Sequence, residues 1–181
     1  MFYTSTRNKN IKVTASQAIA QGISEEGGLF VPCELPQFSL DKIASMVDMP
    51  YTERAKTVLK DFLTDFSEEE LDYCVNGAYA AEKFSSSKIA PTVNVAGNKN
   101  ILELWHGPTC AFKDMALQLL PYLMTVSAKK TADGKTIVIL VATSGDTGKA
   151  ALEGFKDVDN TRILVFYPVD GVSPMQKHQM N

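Results

Sequence analysis

Two short stretches hold the side chains best suited to chemistry. The first, ELWHGPTCAFKDMALQ (Glu103 to Gln118), sets Lys113 where a Gly-Pro-Thr turn becomes an apolar helix. A lysine at a helix start lies at the positive end of the dipole, where acidic groups are favoured. Phe112, Met115, Ala116 and Leu117 around it limit water, and desolvation beside a positive helix end favours a neutral, nucleophilic amine. A Schiff-base lysine or a lysine general base requires such a state. The plain alternative is a surface lysine with a snorkelling stem. Asp114 either pairs with Lys113 or only favours the helix start. His106 and Thr109, in the preceding turn, read as structural, a lone histidine being more often a satisfied hydrogen-bonding residue than a catalyst.

The second stretch is ATSGDTG, Ala142 to Gly148. It leaves a very apolar strand and enters a helix, the place where open α/β sheets hold ligands. Ser144, Asp146 and Thr147 offer side-chain contacts, while Gly145 and Gly148 let the backbone curl so that its N–H groups converge. With the positive helix end this forms a seat for a carboxylate or phosphate. It is not a Walker A loop, because Thr143 stands where Gly is needed and Ala150 where Ser or Thr would hold magnesium. Nor is it the dinucleotide fingerprint. The competing reading is an ordinary strand-to-helix turn with an Asp N-cap.

The elements that must position these residues follow from periodicity and caps. Phe2 to Thr6 reads as a short strand, and Thr14 to Gln21 as a helix ended by Gly22. In SEEGGLFVP (Ser24 to Pro32) a glycine turn opens onto a strand expected to be buried. Helices follow over Phe38 to Asp48, capped by Ser39, and Thr52 to Phe66. A third starts at the capping box Ser67 to Glu70. Ser85 to Pro91 is the linker candidate, dividing a mainly helical domain at 1–90 from a second domain at 91–181. In the second, Thr92 to Ala96 and Asn100 to Leu104 form a hairpin, and one helix kinked at Pro121 runs from about Ala111 to Lys129. Thr136 to Thr143 and Arg162 to Tyr167 lack alternation, the pattern of strands buried on both faces. With the helix between them, from about Thr147 to Lys156, they make a βαβ unit with a parallel sheet. The fold class is α/β.

Composition narrows the function classes. The chain has 181 residues, 45% hydrophobic and 22% charged, with a net charge of −3. Neither nucleic acid nor an anionic membrane is expected as a partner. Three dispersed cysteines and two histidines argue against a disulfide framework and against a metal site, and point to a reducing, cytoplasmic setting. The N-terminus lacks the apolar core of a signal peptide, and no run approaches the ~20 residues of a membrane helix. The chain stops at HQMN, just past a helix-start signal at Ser173-Pro174, and so reads as cut short.

ELWHGPTCAFKD resembles the lysine motif of threonine synthases, pyridoxal 5'-phosphate enzymes of the tryptophan-synthase-β-like fold (fold type II). ATSGDTGKAA resembles the loop that follows it there. GISEEGGLFVPCELPQF is similar to the family's first domain, and YPVDGVSPMQKHQM to the strand-helix segment after the loop. The resemblance runs over four blocks in the right order.

The resemblance implies that Lys113 forms the Schiff base with pyridoxal 5'-phosphate and later moves protons on the substrate. It implies that Asp146 faces the cofactor ring hydroxyl or the substrate. Ser144, Gly145, Asp146 and Thr147 correspond to the substrate-binding loop. The implied reaction converts O-phospho-L-homoserine and water to L-threonine and phosphate. Family members are longer and carry a later glycine-rich loop for the cofactor phosphate, which this sequence does not contain. The chain therefore resembles an N-terminal piece, expected to bind cofactor weakly, not to turn over, and to self-associate through uncovered apolar surface. Two rival readings remain: a related phospho-lyase using the same lysine, and a non-catalytic anion-binding module in which Lys113 is only structural.

Overall fold

Short-range capping decides where several of the helices begin. In the computed structural model, which describes residues 1–131, 136–143 and 145–180, helix α1 spans Ala15–Gln21. Thr14 and Gln17 form a reciprocal capping box at its start, and Gly22 (φ 77°) ends it. Ser39 caps α2 (Leu40–Ser45) through the Lys42 N–H. Helix α3 (Tyr51–Phe62) starts after Pro50. Helix α4 (Glu68–Ala78) opens with the expected box: the Ser67 N–H donates to Glu70 Oε2 at 2.7 Å, and the Glu70 N–H to Ser67 Oγ at 3.2 Å. The caps at Thr14, Ser39 and Ser67 each use residues three apart, so they survive whatever the rest of the chain does.

The chain divides into two compact units, Met1–Asn76 with Leu123–Lys135, and Gly77–Tyr122 with Thr136–Asn181. In the first unit, β1 (Tyr3–Ser5) pairs antiparallel with β2 (Phe30–Pro32). The turn in SEEGGLFVP forms as expected, with Gly27 at φ 80°. The strand after it is not buried, however: Phe30 and Pro32 are half-covered, and Leu29 and Val31 are exposed. A two-stranded ribbon has too little neighbouring surface to cover both of its faces. Asp65 ties α1 to the loop after α3. Its Oδ2 accepts the Ser16 N–H at 3.0 Å and the Ser16 hydroxyl at 2.5 Å, satisfying an orphan donor of the first helical turn. Lys130 reinforces this loop from α6 (Leu120–Thr131), donating to the Asp65 carbonyl at 2.6 Å and pairing with Glu70 at 2.8 Å.

The second unit carries the hairpin β3 (Thr92–Ala96) and β4 (Lys99–Leu102), then α5 (Asp114–Leu117). Strand β5 (Ile137–Ala142), α7 (Asp146–Phe155) and β6 (Thr161–Phe166) form the expected βαβ unit, with β5 and β6 parallel from Ile137↔Thr161 to Ala142↔Phe166. Helix α8 (Pro174–Met180) closes the described chain. The architecture is mixed α/β. No helix among the described residues is long and apolar enough to cross a membrane.

Two expectations are corrected here. The single kinked helix over Ala111 to Lys129 is two helices: α5 stops at Leu117, and α6 begins at Leu120, placing Pro121 in a first turn. Proline lacks the donor a helix interior needs but costs nothing where the N–H is unpaired anyway, so the helix restarts rather than bends. The second concerns β5 and β6, whose residues alternate in exposure instead of being buried throughout. Helix α7 packs on these strands, while Val138, Leu140 (66% exposed), Leu164 and Phe166 (62% exposed) stay open. The unbroken apolar run reports side chains suited to two covered faces. One face is covered here.

Candidate functional site

Lys113 sits in right-handed helical conformation at the N-cap of α5, half-buried. The turn before it is held by its neighbour. Asp114 is fully buried, its Oδ2 accepting the Thr109 N–H at 2.9 Å and its Oδ1 the Thr109 hydroxyl at 2.7 Å. A buried carboxylate must be satisfied in this way to be tolerable. Asp114 therefore shapes the Gly-Pro-Thr turn instead of pairing with Lys113. Gly107 makes room for it, since a Cβ there would lie 2.5 Å from Asp114 Cβ. Among the described residues Lys113 has no ion pair; its ammonium rests over the Phe112 ring, 4.8 Å from the centroid.

His106 has partners on both ring nitrogens. Nδ1 lies 2.9 Å from Ser85 Oγ and Nε2 2.7 Å from Glu103 Oε2. The structural reading of this residue therefore stands. Ser85 also donates its N–H to the His106 carbonyl at 2.9 Å, so the stretch ahead of the turn is pinned twice.

The loop after β5 differs in detail from the simple turn. Gly145, not Asp146, is the N-cap of α7, and it makes no side-chain cap bond. Asp146 is the first helical residue and Thr147 the second, so their N–H groups belong to the orphan donors of a helix start. Ser144 lies outside the described residues. Asp146 Oδ1 receives the Gln176 Nε2–H at 3.1 Å and the Lys149 ammonium at 3.2 Å. The Gln176 bond, then the Lys149 bond and charge, hold its carboxyl below the usual carboxylate range. At neutral pH Asp146 is thus an acceptor rather than a proton donor.

The structure brings the two stretches together, although sequence reasoning assigned the link no role. Lys149 Nζ donates to the Thr109 carbonyl at 3.1 Å, while at the other end of the contact Leu117 O approaches Gly154 so closely that a Cβ there would lie 2.1 Å away. Thr109 with Lys149 and Leu117 with Gly154 make the lysine-bearing stretch run alongside α7 in the same direction, with Lys113 between the two contacts. Lys149 was readable as an i,i+3 partner of Asp146. Its reach across forty positions to Thr109 was not, nor was the reach of Gln176 to Asp146.

A family profile described as "Threonine synthase N terminus" matches residues 2–79. Threonine synthase of Pseudomonas aeruginosa is 41% identical over 182 residues, covering 99% of this chain and 38% of its own length. Threonine synthase-like 1 of Pongo abelii is 41% identical over 91% of this chain and 23% of its own length. The X-ray crystal structure of PLP bound threonine synthase from Brucella melitensis superposes with a TM-score of 0.90 at 39% identity, covering 99% of this chain and 38% of that one. The chain thus spans well under half the length of the relatives it matches. Over nearly all of its residues the chain is thus similar in sequence and in fold to the N-terminal part of threonine synthases.

Proposed function

We propose that the protein carrying this chain is a threonine synthase that converts O-phospho-L-homoserine and water to L-threonine and phosphate with pyridoxal 5'-phosphate as cofactor. The observation that carries the reading is that Lys149 joins the two motif stretches, bonded to the Thr109 carbonyl in the lysine-bearing turn and to Asp146 in the loop. The residues present fit the cofactor: a half-buried lysine without an ion pair among the described residues, and a helix start in the same unit whose N–H groups suit an anion.

In this reading Lys113 is the Schiff-base lysine, and its amine then takes and returns protons on the substrate. The N–H groups at the start of α7, with Gly145, Thr147 and Ser144, bind the substrate carboxylate. Asp146 accepts a hydrogen bond from the cofactor ring hydroxyl or from the substrate. When bound, the cofactor supplies the electron sink for loss of the α and then the β proton. Residues 1–90 act as the family's first domain and 91–181 as the start of the catalytic domain. The setting is cytoplasmic. These 181 residues by themselves bind cofactor weakly and do not turn over, and they self-associate through the open face of β5 and β6.

Absorbance of the protein with pyridoxal phosphate, before and after borohydride, followed by peptide mapping, tests the assignment. A band near the visible edge that collapses on reduction and maps to Lys113 is the expected result. Labelling scattered over many lysines would overturn it, as would unchanged turnover in Lys113→Ala, the outcome a non-catalytic module requires. Leu140→Glu with Phe166→Glu should abolish concentration-dependent association of the chain in sedimentation. Unchanged association would exclude that face.

A further inference from the structure

We propose that Lys149 and Gln176 are positioning residues that grip Asp146 by one oxygen, Oδ1, and so reserve Oδ2 for the ligand of the site. The inference rests on the pyridoxal phosphate reading above and adds what orients the loop's only carboxylate.

Both donors converge on the same atom, Gln176 Nε2 at 3.1 Å and Lys149 Nζ at 3.2 Å, and among the described residues nothing donates to Oδ2. Neither donor is itself loose. The Lys149 side chain is 11% exposed, and its ammonium also donates to the Thr109 carbonyl, so it is fixed from the lysine-bearing turn as well. Gln176 is held through its own helix start. Its Oε1 accepts the Ser173 N–H and its N–H donates to Ser173 Oγ, each at 3.2 Å, which leaves Nε2 the amide atom directed at Asp146. Gly145 permits that approach, because a Cβ there would sit 2.6 Å from Gln176 Nε2. An isolated Asp–Lys pair at i,i+3 on an exposed helix would only steady the helix slightly. Here two elements remote in sequence, the turn at Thr109 and helix α8, fix the direction of one carboxylate. A carboxylate fixed in direction can meet a hydroxyl without first reorganising.

The test uses the complete cofactor-loaded protein with Lys149→Met, Gln176→Leu, Lys149→Arg, Asp146→Asn and the double variant Lys149→Met/Asp146→Asn. The cofactor band of Lys149→Met and of Gln176→Leu should shift toward that of Asp146→Asn. The turnover number should fall about ten-fold in each, with KM within about two-fold, as expected for lost orientation rather than lost binding. Lys149→Arg should restore both band and turnover. Lys149→Met should add less than about two-fold to the loss in an Asp146→Asn background, because contacting residues are not additive. Bands like the unsubstituted protein, with only the thermal midpoint lowered, would overturn the proposal. So would full additivity in the double variant. Should Lys149→Met not fold, Gln176→Leu and Lys149→Arg decide the matter. If the unsubstituted protein forms no band mapping to Lys113, the function reading fails first and this inference with it. A normal band that responds to none of these variants sinks the inference alone.

Discussion

The carboxylate of Asp114 accepts both the amide N–H and the hydroxyl of Thr109, at 2.9 and 2.7 Å, from a position with no solvent exposure. This pair closes the turn that delivers Lys113 to the start of α5. Asp114→Ala should cost about 1.5–3 kcal/mol, the range for hydrogen bonds to a charged group whose partners are left buried. Asp114→Asn keeps an acceptor for one donor and should cost less. Urea midpoints of the three proteins check the order. Equal midpoints for Asp114→Ala and the unsubstituted chain would show that the turn holds without the pair.

Gly154 is a second critical position. Alanine in a helix interior normally gains about 1 kcal/mol over glycine. At this site the added Cβ would lie 2.1 Å from the Leu117 carbonyl oxygen, a backbone atom that cannot step aside without moving α5. Overpacking of this kind costs about 1–3 kcal/mol, so the clash outweighs the propensity gain. Gly154→Ala should lower the thermal midpoint and weaken cofactor binding together. A raised midpoint would mean that the two helices separate easily.

The three cysteines should differ sharply toward a thiol reagent. Cys74 is fully buried, and burial, with the nearby Glu70 charge, pushes its thiol up to about 12. Cys33 and Cys110 are exposed. At neutral pH two thiols should label promptly and the third only after denaturation. Prompt labelling of Cys74, read by mass spectrometry, would place it in a segment that opens readily.

Asp65 gives the first unit an acid sensitivity. Burial by itself would raise its carboxyl, but the hydrogen bonds from the Ser16 hydroxyl and N–H outweigh it and hold it below the ordinary carboxylate value. The folded value thus lies below the unfolded one. Its contribution is complete above about pH 4, the unfolded range, and is lost as pH falls through the folded value. The stability difference between the chain and Asp65→Asn should be level from pH 7 to pH 5 and shrink below about pH 4. Urea titrations across that range measure it. A difference that instead grows in acid would reverse the sign.

Residues close in sequence settled what the sequence alone could determine. The boxes at Thr14 and Ser67, the cap at Ser39, the glycine stop at Gly22 and the turn between β3 and β4 each need partners only a few positions away, so composition at those positions suffices. The βαβ order was legible from the apolar runs and the helix between them. Tertiary structure decided the rest. Whether Asp114 faces Lys113 or Thr109, which oxygen of Asp146 is occupied, and that Lys149 joins two loops forty residues apart depend on contacts that no local pattern encodes. The faces of β5 and β6 make the same point from the other side. Their uninterrupted apolar residues specify what could be covered, but actual coverage depends on which other elements pack there. Side-chain type is a property of the chain, whereas burial is a property of its neighbours.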